Sequence, residues 1–207
     1  KAVMMGPKNY MGRSFMATPI AITVEGANIL TRSLIVFGQG AIRCHPFVLQ
    51  ELQAAAEEDK KLGLINFDKA LFSHIGYAIS NLSRSVILAI TNARYSASPV
   101  NTNTKRYYQH INRYSAAFAV ASDFAMLSLG GELKKKELLS ARLGDVLSSI
   151  YLASTVLKHY ENQGCKPEDL PLVQWSVRTL MYEAQEKLHS FLKNLPNKTL
   201  AFFLRCY

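Results

Sequence analysis

Apolar positions recur at three- and four-residue spacing along most of this chain and predict a succession of amphipathic helices. Ile29, Ser33, Val36, Phe37 and Gly40 share one face of a first helix. Pro46 suits the start of a second, with Val48, Leu49, Leu52 and Ala55 as its apolar side. Glu57-Glu58-Asp59-Lys60-Lys61 then forms a charged connector ending near Gly63. It is the expected domain boundary, with residues 1–60 on one side and 61–207 on the other. Asn66-Phe67-Asp68 can open the next helix, with Leu71, His74, Ile75, Ala78, Leu82 and Val86 along its inner stripe.

Ser96 to Asn103 is rich in turn and cap residues and predicts a loop. A long helix should follow from about Thr104, with Tyr107, Ile111, Tyr114, Phe118 and Ala121 inward, ended by Gly130-Gly131. Another begins near Leu133 and keeps Leu139, Leu143, Val146, Ile150, Ala153, Leu157 and Tyr160 in register. After a loop from Gly164, Pro171 fits the first turn of a last helix, where Glu168 and Asp169 meet its positive end. Val173, Val177, Leu180, Ala184, Leu188 and Phe191 form its stripe. Neither useful strand alternation nor an internal repeat interrupts this pattern. The expected fold is all-α, an up-and-down helical bundle.

Composition agrees with a folded chain: 49% apolar and 19% charged residues. The chain opens on Lys1, in mid-pattern and without a signal peptide, which suggests a piece of a longer protein. Cys44, Cys165 and Cys206 give neither a disulfide framework nor a metal pattern and suit free thiols in a reducing compartment. No uninterrupted apolar run approaches the roughly 18 residues needed to span a bilayer. The apolar tail Leu200-Ala201-Phe202-Phe203-Leu204 could dock on the protein or touch a membrane surface.

A net charge of +9 favours anionic partners. The basic residues are scattered, and the one run, Lys134-Lys135-Lys136, is flanked by Glu132 and Glu137 as at a solvated helix start. No nucleic-acid motif accompanies the charge.

Most candidate chemistry is weak. Gly38-Gln39-Gly40 lacks the third glycine and the preceding strand of a dinucleotide loop. His45, His74, His110, His159 and His189 never pair at i, i+4, so no metal site is expected, and His74 has no partner of suitable spacing. Arg142 and Asp145 fall on one helix face and suggest a structural ion pair. Arg106 with Tyr107 and Tyr108 suits either a phosphate or aromatic ligand or a packed helix start.

One stretch is different. Val24-Glu25-Gly26-Ala27-Asn28-Ile29-Leu30-Thr31-Arg32 places a lone carboxylate after the apolar run Pro19 to Val24. If that run is buried, desolvation raises the pKa of Glu25 and makes it a stronger base. Gly26 leaves room beside it for a ligand. The other reading is a helix-start Glu stabilised by the helix dipole.

This segment resembles the catalytic-base motif of acyl-CoA dehydrogenases, roughly E-G-T-x-x-I-x-R. Glu25, Gly26 and Arg32 match it, and Leu30 stands at the apolar position. Gly6-Pro7-Lys8-Asn9-Tyr10 resembles the turn the family carries upstream. Ala27 replaces the usual Thr, and Ile29 a usual polar residue. Thr23 to Phe47, Thr104-Lys105-Arg106-Tyr107-Tyr108-Gln109-His110 and Ser140-Ala141-Arg142-Leu143-Gly144-Asp145 resemble the large bacterial FadE-type enzymes, which carry an extra helical domain after the dehydrogenase core.

The resemblance implies oxidation of a fatty acyl-CoA to a trans-2-enoyl-CoA in β-oxidation, with Glu25 as the α-proton base. FAD is the implied cofactor, with Gly26, Ala27 and Asn28 at the positions that contact it. It further implies electron-transfer flavoprotein as redox partner, homo-oligomerisation at full length, and a cytoplasmic location with peripheral contact at the inner membrane. A basic surface suits the phosphates of coenzyme A. The alternative expectation is a non-catalytic helical module that docks a partner or a membrane surface.

Overall fold

The computed structural model describes residues 12, 15–20, 32 and 37–205. The expected first helix falls mostly outside them. What is described is a π-helical turn at residues 37–39 leading into α1 (Gly40–Cys44). Six further helices follow: α2 (Val48–Ala55), α3 (Lys60–Ile90), α4 (Lys105–Leu129), α5 (Glu137–Asn162), α6 (Leu170–Lys193) and α7 (Lys198–Arg205). No strand occurs among the described residues. From α2 to α7 each helix packs on the next, and α4 also meets α6. The fold is the expected all-α bundle.

The α5–α6 hairpin follows its sequence pattern closely. Leu139, Leu143, Val146, Ala153, Leu157 and Tyr160 of α5 are buried. So are Val173, Val177, Ala184 and Phe191 of α6. Burying each large apolar side chain contributes about 1.5–3 kcal/mol before ordering entropy is counted. The turn between the helices is held by Pro167–Asp169 and by Pro171 in the first turn of α6. At one end of the hairpin Leu143, Phe191 and Leu195 meet Phe37, Val120, Ala125 and Leu204 in the main core. Ala153, Leu157, Val173 and Val177 form a second core towards the other end.

Several local expectations need correction. The helix expected from Leu133 begins at Glu137, because residues 130–134 form a 3-10 turn that buries Leu133. Gly130 does end α4, at φ +49, a conformation that L side chains rarely adopt. The helix expected from Asn66 starts earlier, at Lys60. Asp59 is its N-cap and accepts from the N–H groups of Lys61 (2.9 Å) and Leu62 (3.4 Å). Lys60 and Lys61 of the charged connector are therefore helix. Gly63 is an interior residue where α2 crosses α3, and a Cβ there would lie 2.8 Å from the Ala54 carbonyl oxygen.

The stripes of α2 and α3 also differ from expectation. Leu49, Leu52 and Ala55 are exposed, and α2 buries Ala54 instead. On α3 the buried positions are Gly63, Ala70, Asn81, Ser85 and Leu88. Ile75 and Leu82, expected inside, are exposed, beside Leu64, Ile65, Phe72, Ile79 and Ile90. Many of the large apolar residues of α3 thus face away from the bundle, whose buried positions on this helix are mostly small or polar, with Leu88 the large apolar exception.

Among the described residues α4 is long and apolar enough to cross a membrane by length and composition. Its Gln109, Ala116, Val120, Ala121, Ser122 and Ala125 are buried against the rest of the bundle.

Candidate functional site

Glu25, Gly26, Ala27 and Asn28 lie outside the described residues, as does the Gly6–Tyr10 turn. The end of their motif does not. Arg32 Nε lies 3.4 Å from Asp145 Oδ1, while Lys187 Nζ lies 2.9 Å from Asp145 Oδ2. One carboxylate of α5 thus holds a cation of α6 and a cation of the motif. Beside it Gly144 allows close approach, since a Cβ there would lie 3.0 Å from the Arg32 carbonyl oxygen. The expected Arg142–Asp145 pair does not form. Arg142 Nη1 instead donates to the Leu138 carbonyl at 3.3 Å, and Asp145 serves the two partners from distant sequence. The sequence pattern missed this because both partners are long-range.

A second cluster lies where α1 and α2 meet α3 and α4. His45 Nδ1 accepts from the backbone N–H groups of Phe47 and Val48, each at 3.2 Å, and so caps the start of α2. With Nδ1 an acceptor, the imidazole carries its proton on Nε2, which donates to Asp123 Oδ1 at 3.2 Å. His74 Nδ1 donates to Glu51 Oε1 at 2.8 Å. The two imidazoles lie 4.5 Å apart, with Phe47 and Tyr77 packed around them. His74, expected to lack a partner, therefore has one, supplied by α2 rather than by helical spacing.

One ligand atom each of His45, His74 and Asp123 falls within 4.8 Å of the others, close enough for a metal ion. The hydrogen bonding argues for another role. A metal-bound histidine donates from its second nitrogen. Here that nitrogen of His45 accepts two backbone bonds, which a metal on Nε2 would disrupt. The cluster clips α2 to α3 and α4.

Within the α4 motif Thr104 to His110, Arg106 and Gln109 hold the preceding loop. Arg106 Nη2 donates to the Asn92 carbonyl (2.9 Å), and the Gln109 amide donates to the Arg94 (3.1 Å) and Ser96 (3.0 Å) carbonyls. Asn112 continues the row to Ser96 Oγ (2.7 Å) and the Ala97 carbonyl (2.8 Å). This face of α4 latches the α3–α4 loop, in which Asn92 and Ala93 adopt positive φ. Burial first, then the neighbouring Glu161 carboxylate, pushes the Tyr108 hydroxyl pKa far up. Cys44 and Cys165 are free thiols; Cys206 lies outside the described residues.

These features define an all-α bundle that receives Arg32 on Gly144 and Asp145. A profile described as "Acyl-CoA dehydrogenase, C-terminal, bacterial type" matches residues 42–207, and the chain belongs to that family. The match runs through α2 to α7 and includes both His45 and Asp145. No solved structure matches the chain.

Proposed function

We propose that this chain is the C-terminal part of a flavin-dependent acyl-CoA dehydrogenase that oxidises fatty acyl-CoA to trans-2-enoyl-CoA in β-oxidation. Residues 1–60 would close the dehydrogenase domain and carry its base; residues 61–207 would be an additional helical domain. The observation that carries the reading is a family match over 42–207 directly downstream of the Glu25–Arg32 motif.

In this reading Glu25 takes the α-proton onto its carboxylate. A well-placed base supplies about 10²–10⁴-fold, so its position matters as much as its basicity. Arg32, seven residues beyond Glu25 in sequence, is held by Asp145, and Gly144 admits its backbone. The bundle would thereby fix the helix that carries the base. FAD, when bound, supplies the acceptor for the β-hydride. Gly26, Ala27 and Asn28 are the positions proposed to contact it, and no described residue is assigned to it. Electron-transfer flavoprotein as electron acceptor, homo-oligomerisation, and a cytoplasmic location with peripheral contact at the inner membrane belong to the same proposal. The test is flavin reduction by acyl-CoAs of graded chain length, measured on the protein with its upstream domains. Bleaching of the flavin supports the reading, and a flavin that stays oxidised with every acyl-CoA rejects it.

A second reading is a non-catalytic module that docks a partner or a membrane surface. The outward apolar side of α3 favours it. Both readings use that side, the first as the surface that packs on the dehydrogenase core. Only the first requires Glu25.

A further inference from the structure

A groove of about 570 Å³ runs between α4 and α6, within the size range of small-molecule sites. Arg106 enters it from α4 and Arg178 from α6, and no carboxylate is among the described residues lining it. Neither guanidinium has an acidic partner among the described residues. Arg106 is occupied only by neutral acceptors: Gln109 Oε1 at 2.6 Å, the Asn92 carbonyl and His110 Nε2 at 3.2 Å. Arg178 donates its Nε to the Tyr107 hydroxyl at 3.1 Å, which fixes its direction and leaves both Nη groups without a described protein partner.

Rings complete the lining. Tyr107, Tyr114 and Tyr182 face the groove, and Tyr182 is 63% exposed, so a face of its ring is open. The Tyr114 hydroxyl donates to Gln185 Oε1 at 2.9 Å across the two helices and fixes that wall. Burial first, then the charges of Arg106 and Arg113, holds the His110 pKa below its usual value. The open Arg178 fork, a second cation without an acid at Arg106, an open aromatic face and a chain of net charge +9 suit a ligand that joins phosphate to a planar ring.

We propose that the α4–α6 groove binds a phosphate-bearing nucleotide of the nucleoside-diphosphate class, its phosphates on Arg106 and Arg178 and its base on Tyr182. The open Arg178 fork takes phosphate oxygens bidentately while Arg106 adds its charge, and a tyrosine face tolerates any base. This site is independent of Glu25 and of the reaction proposed above.

Isothermal titration of the whole chain with ADP, inorganic pyrophosphate and adenosine tests it. ADP should bind saturably at one site, and the two halves of the molecule about tenfold more weakly or worse. Arg178→Gln should weaken ADP about tenfold, and Arg178→Lys, which keeps charge but loses the fork, less so. Tyr182→Ala should weaken ADP and leave pyrophosphate unchanged. Arg178 and Tyr182 are both exposed, so either variant serves if the other fails to fold by circular dichroism. Absence of saturable ADP binding, or ADP binding unchanged in Arg178→Gln, overturns the proposal. So does Arg178-dependent binding to phosphatidylglycerol vesicles with ADP silent, which would make the phosphate source a lipid headgroup.

Discussion

The α5–α6 hairpin and α3 are both long apolar helices, yet they use their apolar sides in opposite ways. In the hairpin the apolar stripes face each other, and Leu143, Leu157, Val177 and Phe191 are completely or almost completely buried. In α3 the bundle is met by Gly63, Ala70, His74, Asn81 and Ser85, while Phe72, Ile79 and Ile90 face outward at 60–80% exposure. Hydrophobic spacing reports that a helix buries a face. It does not report against what. The hairpin makes its own core; α3 leaves much of its apolar surface exposed.

The strongest way to break this comparison is to truncate both faces. Leu143→Ala should cost about 2–5 kcal/mol, the range for buried leucines. Ile79→Ala on the outward face of α3 should cost about 0.5 kcal/mol or less in this chain. Urea unfolding followed by circular dichroism measures both. Equal losses would mean that the outward face of α3 is covered within the chain itself.

A smaller effect sharpens the link between motif and bundle. Gly144→Ala places a Cβ 3.0 Å from the Arg32 carbonyl, against backbone that yields little. It should cost about 1–3 kcal/mol. Asp145→Asn, which keeps shape but loses its partly exposed ion pairs, should cost about 1 kcal/mol or less. The same urea titration ranks them, and a reversed order would show that charge rather than close approach holds Arg32.

The His45 clip should matter less than the core. His45→Ala removes the acceptor of two backbone N–H groups and the bond to Asp123, an expected loss of about 1–2 kcal/mol. Faster amide hydrogen exchange at Phe47 and Val48 is the direct readout. Unchanged exchange there would refute the cap.

The smallest effect is one of pH. Burial, Arg106 and Arg113 lower the pKa of His110 below its model-compound value of 6.5 in the folded chain. The unfolded chain therefore takes up this proton first as pH falls. The contribution is present above pH 6.5 and is lost as pH falls through the folded value. Between about pH 7.5 and pH 5.5 the melting temperature should fall more for the wild type than for His110→Gln. Identical slopes would contradict the shift.

Much of the fold was legible in the sequence. The α5 and α6 stripes, the Ser96–Asn103 loop, Gly130 at the end of α4 and Pro171 at the start of α6 each follow from local spacing or backbone chemistry. The errors share a physical cause. Apart from Leu88, the buried positions of α3 are small or polar, with Gly63 crossing close to Ala54, and these carry little hydrophobic signal. Likewise Arg32–Asp145, Lys187–Asp145, His45–Asp123 and His74–Glu51 join residues far apart in sequence, so i, i+3 or i, i+4 rules do not find them. The candidate base was visible only through its resemblance to a family motif, because one carboxylate after an apolar run is ambiguous on local grounds.

Glu25→Gln in the protein with its upstream domains tests the central claim most directly. Gln keeps the shape and removes the base. Single-turnover mixing with a fatty acyl-CoA should show flavin bleaching slowed by about 10²-fold or more, with unchanged melting temperature and near-normal acyl-CoA binding. Bleaching at the wild-type rate would contradict the assignment of Glu25 as the α-proton base.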